Sequence, residues 1–329
     1  MEATKNTCSF REFMYLCSRL ICMKAGILDL GTNTFNILIA EVEGDQHRLL
    51  YRNKTSVKLG EGAINDHFIA DIPMGRGVQA LQVYKEILDR ENISQVYAFA
   101  TAAIRSAKNQ DVFIRRAREE AGIDVQVITG EREAELICKG VRLAGCLNKR
   151  PALIIDIGGG SVEFIVADQS RLYWKRSINI GVARILEGYR HSDPLKPEEI
   201  ERIAYLIRQN IQEVTRISKE LKIRTLVGSS GSFESFVEMI AGYKDVGINM
   251  SLPSHKIELA DFAALHLRLL KTNLEQRLQL KGLIPMRADM IVLASVMTSV
   301  VIEETGVTEL LYSDYSLKEG ALFEMLDHS

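Results

Sequence analysis

The sequence predicts an α/β protein made of two tandem halves with a cleft between them. Three observations carry that prediction. An apolar run, an Asp-x-Gly turn and a second apolar run occur together twice. Strand and helix patterns follow each copy. The composition is that of an ordinary globular chain. The 329 residues are 47% hydrophobic and 26% charged, enough apolar surface for two domain cores, which excludes disorder and collagen-like repeats. Lys+Arg 41 against Asp+Glu 43 leaves a net charge of −2, so global charge gives no reason to bind nucleic acid or a membrane. Any anion site has to be built locally. The longest apolar run, residues 290–302, is too short and too rich in Ser and Thr to span a bilayer.

The two copies superpose without a gap: residues 27–40 (ILDLGTNTFNILIA) on residues 154–167 (IIDIGGGSVEFIVA), with Asp29 matching Asp156 at an offset of 127. Each reads as a β-hairpin with a small-residue turn. After the first hairpin come a helical pattern over residues 74–90, a buried strand over 96–100, a helix over 111–121 and a strand over 125–129. After the second come a strand over 172–178, a helix over 197–221, a strand over 225–228 and helices over 233–240 and 287–303. The long helix has Pro197 near its start, with Ile200, Ile203, Ile207, Ile211, Val214 and Leu221 at helical spacing. Strands mixed with helices in this order indicate α/β units.

The pattern breaks at residues 147–151, which separates a first domain, 23–148, from a second, 149–315. Residues 1–22 mix apolar residues with Arg11 and Arg19 and lack a clean apolar signal core or cleavage site. They are read as a non-core extension rather than a signal peptide, with Met23 as an alternative start. The five cysteines form no CxxC pair and the six histidines show no zinc spacing, so a reducing cytoplasm is expected.

The turns carry the chemistry. In Asp156-Ile157-Gly158-Gly159-Gly160-Ser161, three successive glycines let backbone N–H groups converge in a concave nest suited to phosphate oxygens, and Ser161 adds a hydroxyl. Asp156 faces the same space, where a carboxylate beside phosphate calls for a divalent cation; magnesium takes one or two carboxylates and keeps its waters. Glu163 offers a second carboxylate. The plain alternative is a glycine-rich hairpin whose Asp caps its own turn. Asp29-Leu30-Gly31-Thr32-Asn33-Thr34 is the first-half counterpart, with fewer glycines and three polar side chains. If the halves face each other, both turns meet in one cleft.

Three further segments fit such a cleft. In Thr129-Gly130-Glu131-Arg132-Glu133-Ala134 the acidic residues suit a first helical turn by the helix dipole alone, but in a phosphate cleft a carboxylate there is a general base for water. Arg105, after the 96–100 strand, can fork two phosphate oxygens. Ser230 and Gly231, in Gly228-Ser229-Ser230-Gly231-Ser232, form another small-residue turn. No GxxxxGK[ST] loop and no GxSxG elbow occurs.

Together these segments, with Ser313-Asp314-Tyr315-Ser316-Leu317-Lys318-Glu319-Gly320, resemble the exopolyphosphatase / guanosine pentaphosphate phosphohydrolase (Ppx/GppA) family of the actin–Hsp70–sugar kinase superfamily. The resemblance runs from about Lys24 to the C-terminus. It implies two ribonuclease-H-like, actin-like ATPase domains with an interdomain cleft, and hydrolysis of terminal phosphoanhydrides. It implies Glu133 as general base, Asp156 and Glu163, with Asp29, as ligands of Mg²⁺ or another divalent cation, and phosphate binding by Asn33, Thr34, Arg105, Gly158, Gly159, Gly160, Ser161, Ser230 and Gly231. A C-terminal helix over residues 316–327 is expected to cross back to the first domain.

Two departures stand out. Arg132 replaces an acidic residue common in the family, which lowers negative charge beside the base. The chain is similar to the short, two-domain form, which argues against high processivity on long chains. The expected substrate is inorganic polyphosphate or guanosine pentaphosphate, not a nucleic-acid polymer or membrane; both a monomer and a homodimer stay open. A kinase of the same superfamily and a non-catalytic guanosine-polyphosphate-binding module are the alternatives.

Overall fold

The computed structural model describes residues 23–43, 46–189 and 191–327; the extension expected over residues 1–22 lies outside them. The first half begins with an antiparallel meander, β1 (Met23–Leu30), β2 (Thr34–Glu43) and β3 (Gln46–Ser56). There follow α1 (Asp71–Arg90), β4 (Gln95–Ala100), a short α2 (Ala102–Ser106), α3 (Gln110–Ala121), β5 (Val125–Val127) and α4 (Gly130–Leu143). The second half repeats the scheme with β6 (Ala152–Ile157), β7 (Val162–Ala167) and β8 (Leu172–Ile178). It continues through α5 (Val182–Gly188), α6 (Pro197–Asn210), α7 (Gln212–Glu220), β9 (Thr225–Ser229), α8 (Ser230–Lys244), β10 (Ser254–Ile257), α9 (Leu259–Leu270) and α10 (Leu274–Arg277). It ends with α11 (Ile291–Thr305), β11 (Glu309–Ser313) and α12 (Leu317–Asp327).

The sheet orders make the duplication explicit. The first sheet runs β3-β2-β1-β4-β5 and the second, read from the matching edge, β8-β7-β6-β9-β11-β10. In both, the first three strands are antiparallel and the first strand of each hairpin pairs in parallel with the strand after a helical crossover. The turns after β1 and β6 and the ends of β4 and β9 therefore lie at one edge of each sheet, the carboxyl end where α/β folds bind ligands. Both β6 and β7 are buried along their whole length, as expected of strands covered on both faces.

Helices α4 and α12 fill the layer between the two sheets. Ala134, Leu136, Ile137 and Val141 of α4 and Leu317, Ala321 and Leu322 of α12 share one core with Ile27 and Leu38 of the first sheet and Ile154 and Ile165 of the second. The helices approach until backbone meets backbone. A Cβ on Gly320 would collide with the Leu136 carbonyl, and one on Gly140 with Ser316. The last helix and the residue just before it thus bring Lys318 and Ser316 to the junction of the halves.

The structure differs from the expected elements at several places. The 197–221 helix is interrupted at Ile211 (φ −105°, ψ 14°). Asn210 Nδ2 donates to the Leu206 carbonyl at 2.8 Å, competing with the helical bond to that same oxygen; the apolar spacing carries on through the break and does not register it. The 287–303 helix starts later, at Ile291, after a 3-10 turn at Pro285–Arg287. Strands β3, β10 and β11 were not expected.

Candidate active site

The two Asp-x-Gly turns share one backbone. Gly31 N–H donates to the Thr34 carbonyl and Gly158 N–H to the Ser161 carbonyl, both at 3.1 Å. A Cβ at Gly31 would lie 2.9 Å from the Thr34 oxygen and one at Gly158 2.8 Å from the Ser161 oxygen. Closing so tight a turn needs glycine at both positions. The turns face each other: the Asn33 side chain lies directly against Gly159, and Asn33 Nδ2 contacts Met290 Sδ at 2.9 Å.

Between them opens a cavity of about 480 Å³ lined by Asp29, Asn33, Thr34, Glu133, Asp156, Gly158, Gly159, Gly160, Ser161, Ser230 and Gly231. Eleven of the thirteen residues singled out from the sequence are in that lining; Arg105 and Glu163 stand one layer behind. Arg105 Nη1 donates to Glu133 Oε2 at 2.8 Å and to the Ile128 carbonyl at 3.2 Å. Glu163 is 1% exposed, and its Oε1 accepts from Ser161 Oγ and Ser177 Oγ, each at 2.6 Å. The Ser161 hydroxyl proton is therefore committed to Glu163.

Ser230, at the start of α8, has φ +75°, a left-handed conformation costing a serine on the order of 1 kcal/mol or more. Its Oγ donates to the Ile157 carbonyl at 3.3 Å. The strain falls at the cavity, between the second hairpin and Gly231. Arg132, expected beside the base, pairs instead with Glu135 at 3.2 Å and with Glu324 of α12. Its charge fastens α12 to α4.

The electrostatics are dominated by buried carboxylates. Burial pushes Asp29 up to about 6, with Lys318 opposing and the Asp156 charge adding to the rise. Burial raises Asp156 as well, against hydrogen bonds from serines that include Ser316 Oγ at 2.8 Å. Burial, then the Glu163 charge, holds Glu133 well above the ordinary range although Arg105 pulls it down. Burial and Asp156 raise Glu163. Lys318 is kept charged by Glu319, 3.1 Å away, and by Asp29, although burial works against it.

Several carboxylates desolvated around one cavity leave a negative excess that a bound cation would relieve. Among the described residues no three His, Cys, Asp or Glu side chains form a ready metal cage. A magnesium ion asks for less than such a cage, since it keeps waters and uses one or two carboxylates plus substrate oxygens. Asp29 and Asp156, both open to the cavity, fit that requirement.

Sequence reasoning missed the far end of the cavity, lined by Arg52, Lys54, Glu234 and Arg287. Arg52 and Lys54, two positions apart on β3, were the available signal.

Fold and site together define a two-domain protein of the actin-like ATPase class, with twin hairpins closing on an anion-sized cavity. A sequence model described as the Ppx/GppA phosphatase family matches residues 38–329, and the chain belongs to that family. It is similar to a solved exopolyphosphatase from Cytophaga hutchinsonii, at 34% identity and TM-score 0.91, covering 93% of this chain and 98% of that one. The Ppx/GppA family member from Aquifex aeolicus shares the fold, at 22% identity and TM-score 0.75, over 93% of this chain and 99% of that one. A bifunctional 3-dehydroquinate synthase/phosphatase from Fusobacterium nucleatum is 28% identical over 313 residues, 92% of this chain. The chain spans about half of that relative's length, 46%. Among the described residues no helix is long and apolar enough to cross a membrane.

Proposed function

We propose that the chain is a divalent-cation-dependent phosphohydrolase that releases terminal orthophosphate from inorganic polyphosphate, with guanosine pentaphosphate as a second substrate carrying the same kind of terminal anhydride. The observation that carries this reading is the meeting of the twin turns around Glu133: Asn33 abuts Gly159, and Glu133 opens into the same cavity with Arg105 fixed 2.8 Å behind it. The exopolyphosphatase relative at 34% identity supports the choice of substrate.

The terminal phosphoryl group enters between the turns. Backbone N–H groups of Gly159, Gly160 and Ser161 and the side chains of Asn33 and Thr34 hold its oxygens, and Ser230 and Gly231 bind the adjoining part of the chain. Glu133 orients a water for in-line attack and takes its proton at a carboxylate oxygen; a carboxylate raised by burial is a better base near neutral pH than a solvated one. Arg105 acts on Glu133, holding it in one rotamer. Asp29 and Asp156 are the cation ligands of the proposal, with Glu163 supporting from behind. When bound, the divalent cation would offset charge on the transferring group. Positioning and electrostatics then supply most of the catalysis.

The test is orthophosphate release from polyphosphate and from guanosine pentaphosphate, side by side, with Mg²⁺ and again after chelation. Release from polyphosphate that stops on chelation and returns with metal is expected. No release from either substrate under any divalent cation overturns the proposal.

A further inference from the structure

Past the twin turns the cavity runs into a second set of charges. Lys54 on β3 and Arg287 in the Pro285–Arg287 turn come from opposite halves and close on one oxygen. Lys54 Nζ lies 2.5 Å and Arg287 Nη2 2.7 Å from Glu234 Oε2. Arg287 Nη1 also donates to Ser235 Oγ at 2.9 Å. The three charged side chains are 34%, 15% and 16% exposed for Lys54, Arg287 and Glu234, and all three line the cavity. The Arg287 guanidinium lies directly against Gly231, so the cluster adjoins one of the candidate anion turns. Two cations from facing domains converging on one carboxylate oxygen reproduce the contacts a phosphoryl oxygen would make.

We propose that Glu234 is a resident competitor that sets the affinity for phosphoanhydride chains: it occupies the Lys54–Arg287 pair in the free protein, and a substrate engages that pair by exchanging its own phosphoryl oxygen for the Glu234 carboxylate. This rests on the phosphohydrolase reading of the same cavity. Although burial works against the charge, Lys54 and Arg287 hold Glu234 down to about 2, so it competes as an anion at every working pH. Only a substrate with a second charged phosphoryl group behind the terminal one can make the exchange. A monoester leaves Glu234 where it is. The resident carboxylate thereby weakens the binding of phosphoanhydride chains and leaves a monoester unaffected.

The direction of one change decides the matter. In the full-length protein, Glu234→Gln keeps the shape and removes the competing charge. The KM for tripolyphosphate should fall about tenfold, with a smaller change in kcat, and the KM for p-nitrophenyl phosphate should stay in place. Glu234→Asp, which keeps the charge, should hold KM near the wild-type value. Lys54→Met, on an edge strand, should raise the tripolyphosphate KM about tenfold and serves as the second variant if Glu234→Gln folds poorly. A strut that merely holds Lys54 and Arg287 would give the opposite sign, so a raised or unchanged KM in Glu234→Gln overturns the proposal. Calorimetric binding of tripolyphosphate separates this result from the function itself. Tighter binding by Glu234→Gln without phosphate release from any form upholds the exchange and sinks the hydrolase reading. Release by the wild type with no gain in binding does the reverse.

Discussion

The two hairpins are one backbone put to two uses. Asp29 faces Asn36 across its strand pair and Asp156 faces Glu163 at the same register. Both turns close through the same hydrogen bond at 3.1 Å. The partner residue differs. Asn36 Nδ2 donates to Asp29 Oδ2 at 3.0 Å, a neutral amide steadying a carboxylate. Glu163 sets a second acid beside Asp156, and its charge reaches Glu133. The turns themselves diverge in the same sense: the first offers the side chains of Thr32, Asn33 and Thr34, the second bare backbone. Duplication supplied the geometry, and one position in each hairpin divided the labour. The first half closes and donates, while the second adds a charge that, after burial, raises the base further.

The largest expected effect tests whether that electrostatic set-up serves Glu133. Glu133→Gln keeps an acceptor for Arg105 and cannot take a proton, so kcat should fall about 100-fold or more with thermal stability retained. Steady-state phosphate release and a melting curve check both parts, and unchanged turnover removes Glu133 as the base. A smaller effect is expected where the hairpins touch. A Cβ on Gly160 would lie 2.6 Å from Thr32 Oγ1 and 2.8 Å from Ala102 Cβ, both in the first half and neither at the end of a long flexible chain. Gly160→Ala should wedge the turns apart and lower kcat/KM by roughly 10- to 100-fold, the scale of a misplacement near 1 Å. A wild-type kcat/KM would mean that the close approach of the hairpins is not needed for turnover.

The repeat was legible because a tight turn repeats its demands: Gly31 and Gly158 each meet the carbonyl three residues on, Thr34 and Ser161, and the flanking apolar runs are buried in both halves. Edge strand β3 was not, since its three apolar residues, Leu49, Leu50 and Tyr51, sit among polar and charged ones and a bulge breaks the alternation, as suits an edge that faces water. The near end of the site was readable as motifs within contiguous segments. The far end was not, because Lys54, Glu234 and Arg287 lie on three separate segments and acquire meaning only when the halves close. Arg132 shows the same limit: adjacency to Glu133 in sequence suggested a shared field, but the helix turns its side chain to Glu324.

The smallest expected effect is also the most direct probe of the difference between the hairpins, because it gives the second the neutral partner that the first already has. Glu163→Gln retains the acceptor oxygen for Ser161 and Ser177 and deletes the charge. Glu133 works as a base only when ionised, so activity fades as pH falls through its pKa. The Glu163 charge helps hold that pKa up, after burial. Removing it lets Glu133 stay ionised further into acid, and the acid limb of the kcat/KM profile should move to lower pH while the plateau changes by less than about tenfold. The equivalent change in the first hairpin, Asn36→Leu, takes one hydrogen bond from Asp29 and should leave that limb in place. An acid limb that stays put in Glu163→Gln, together with a higher Mg²⁺ requirement, would mean that Glu163 serves the cation and that Glu133 is tuned by burial and Arg105 without it.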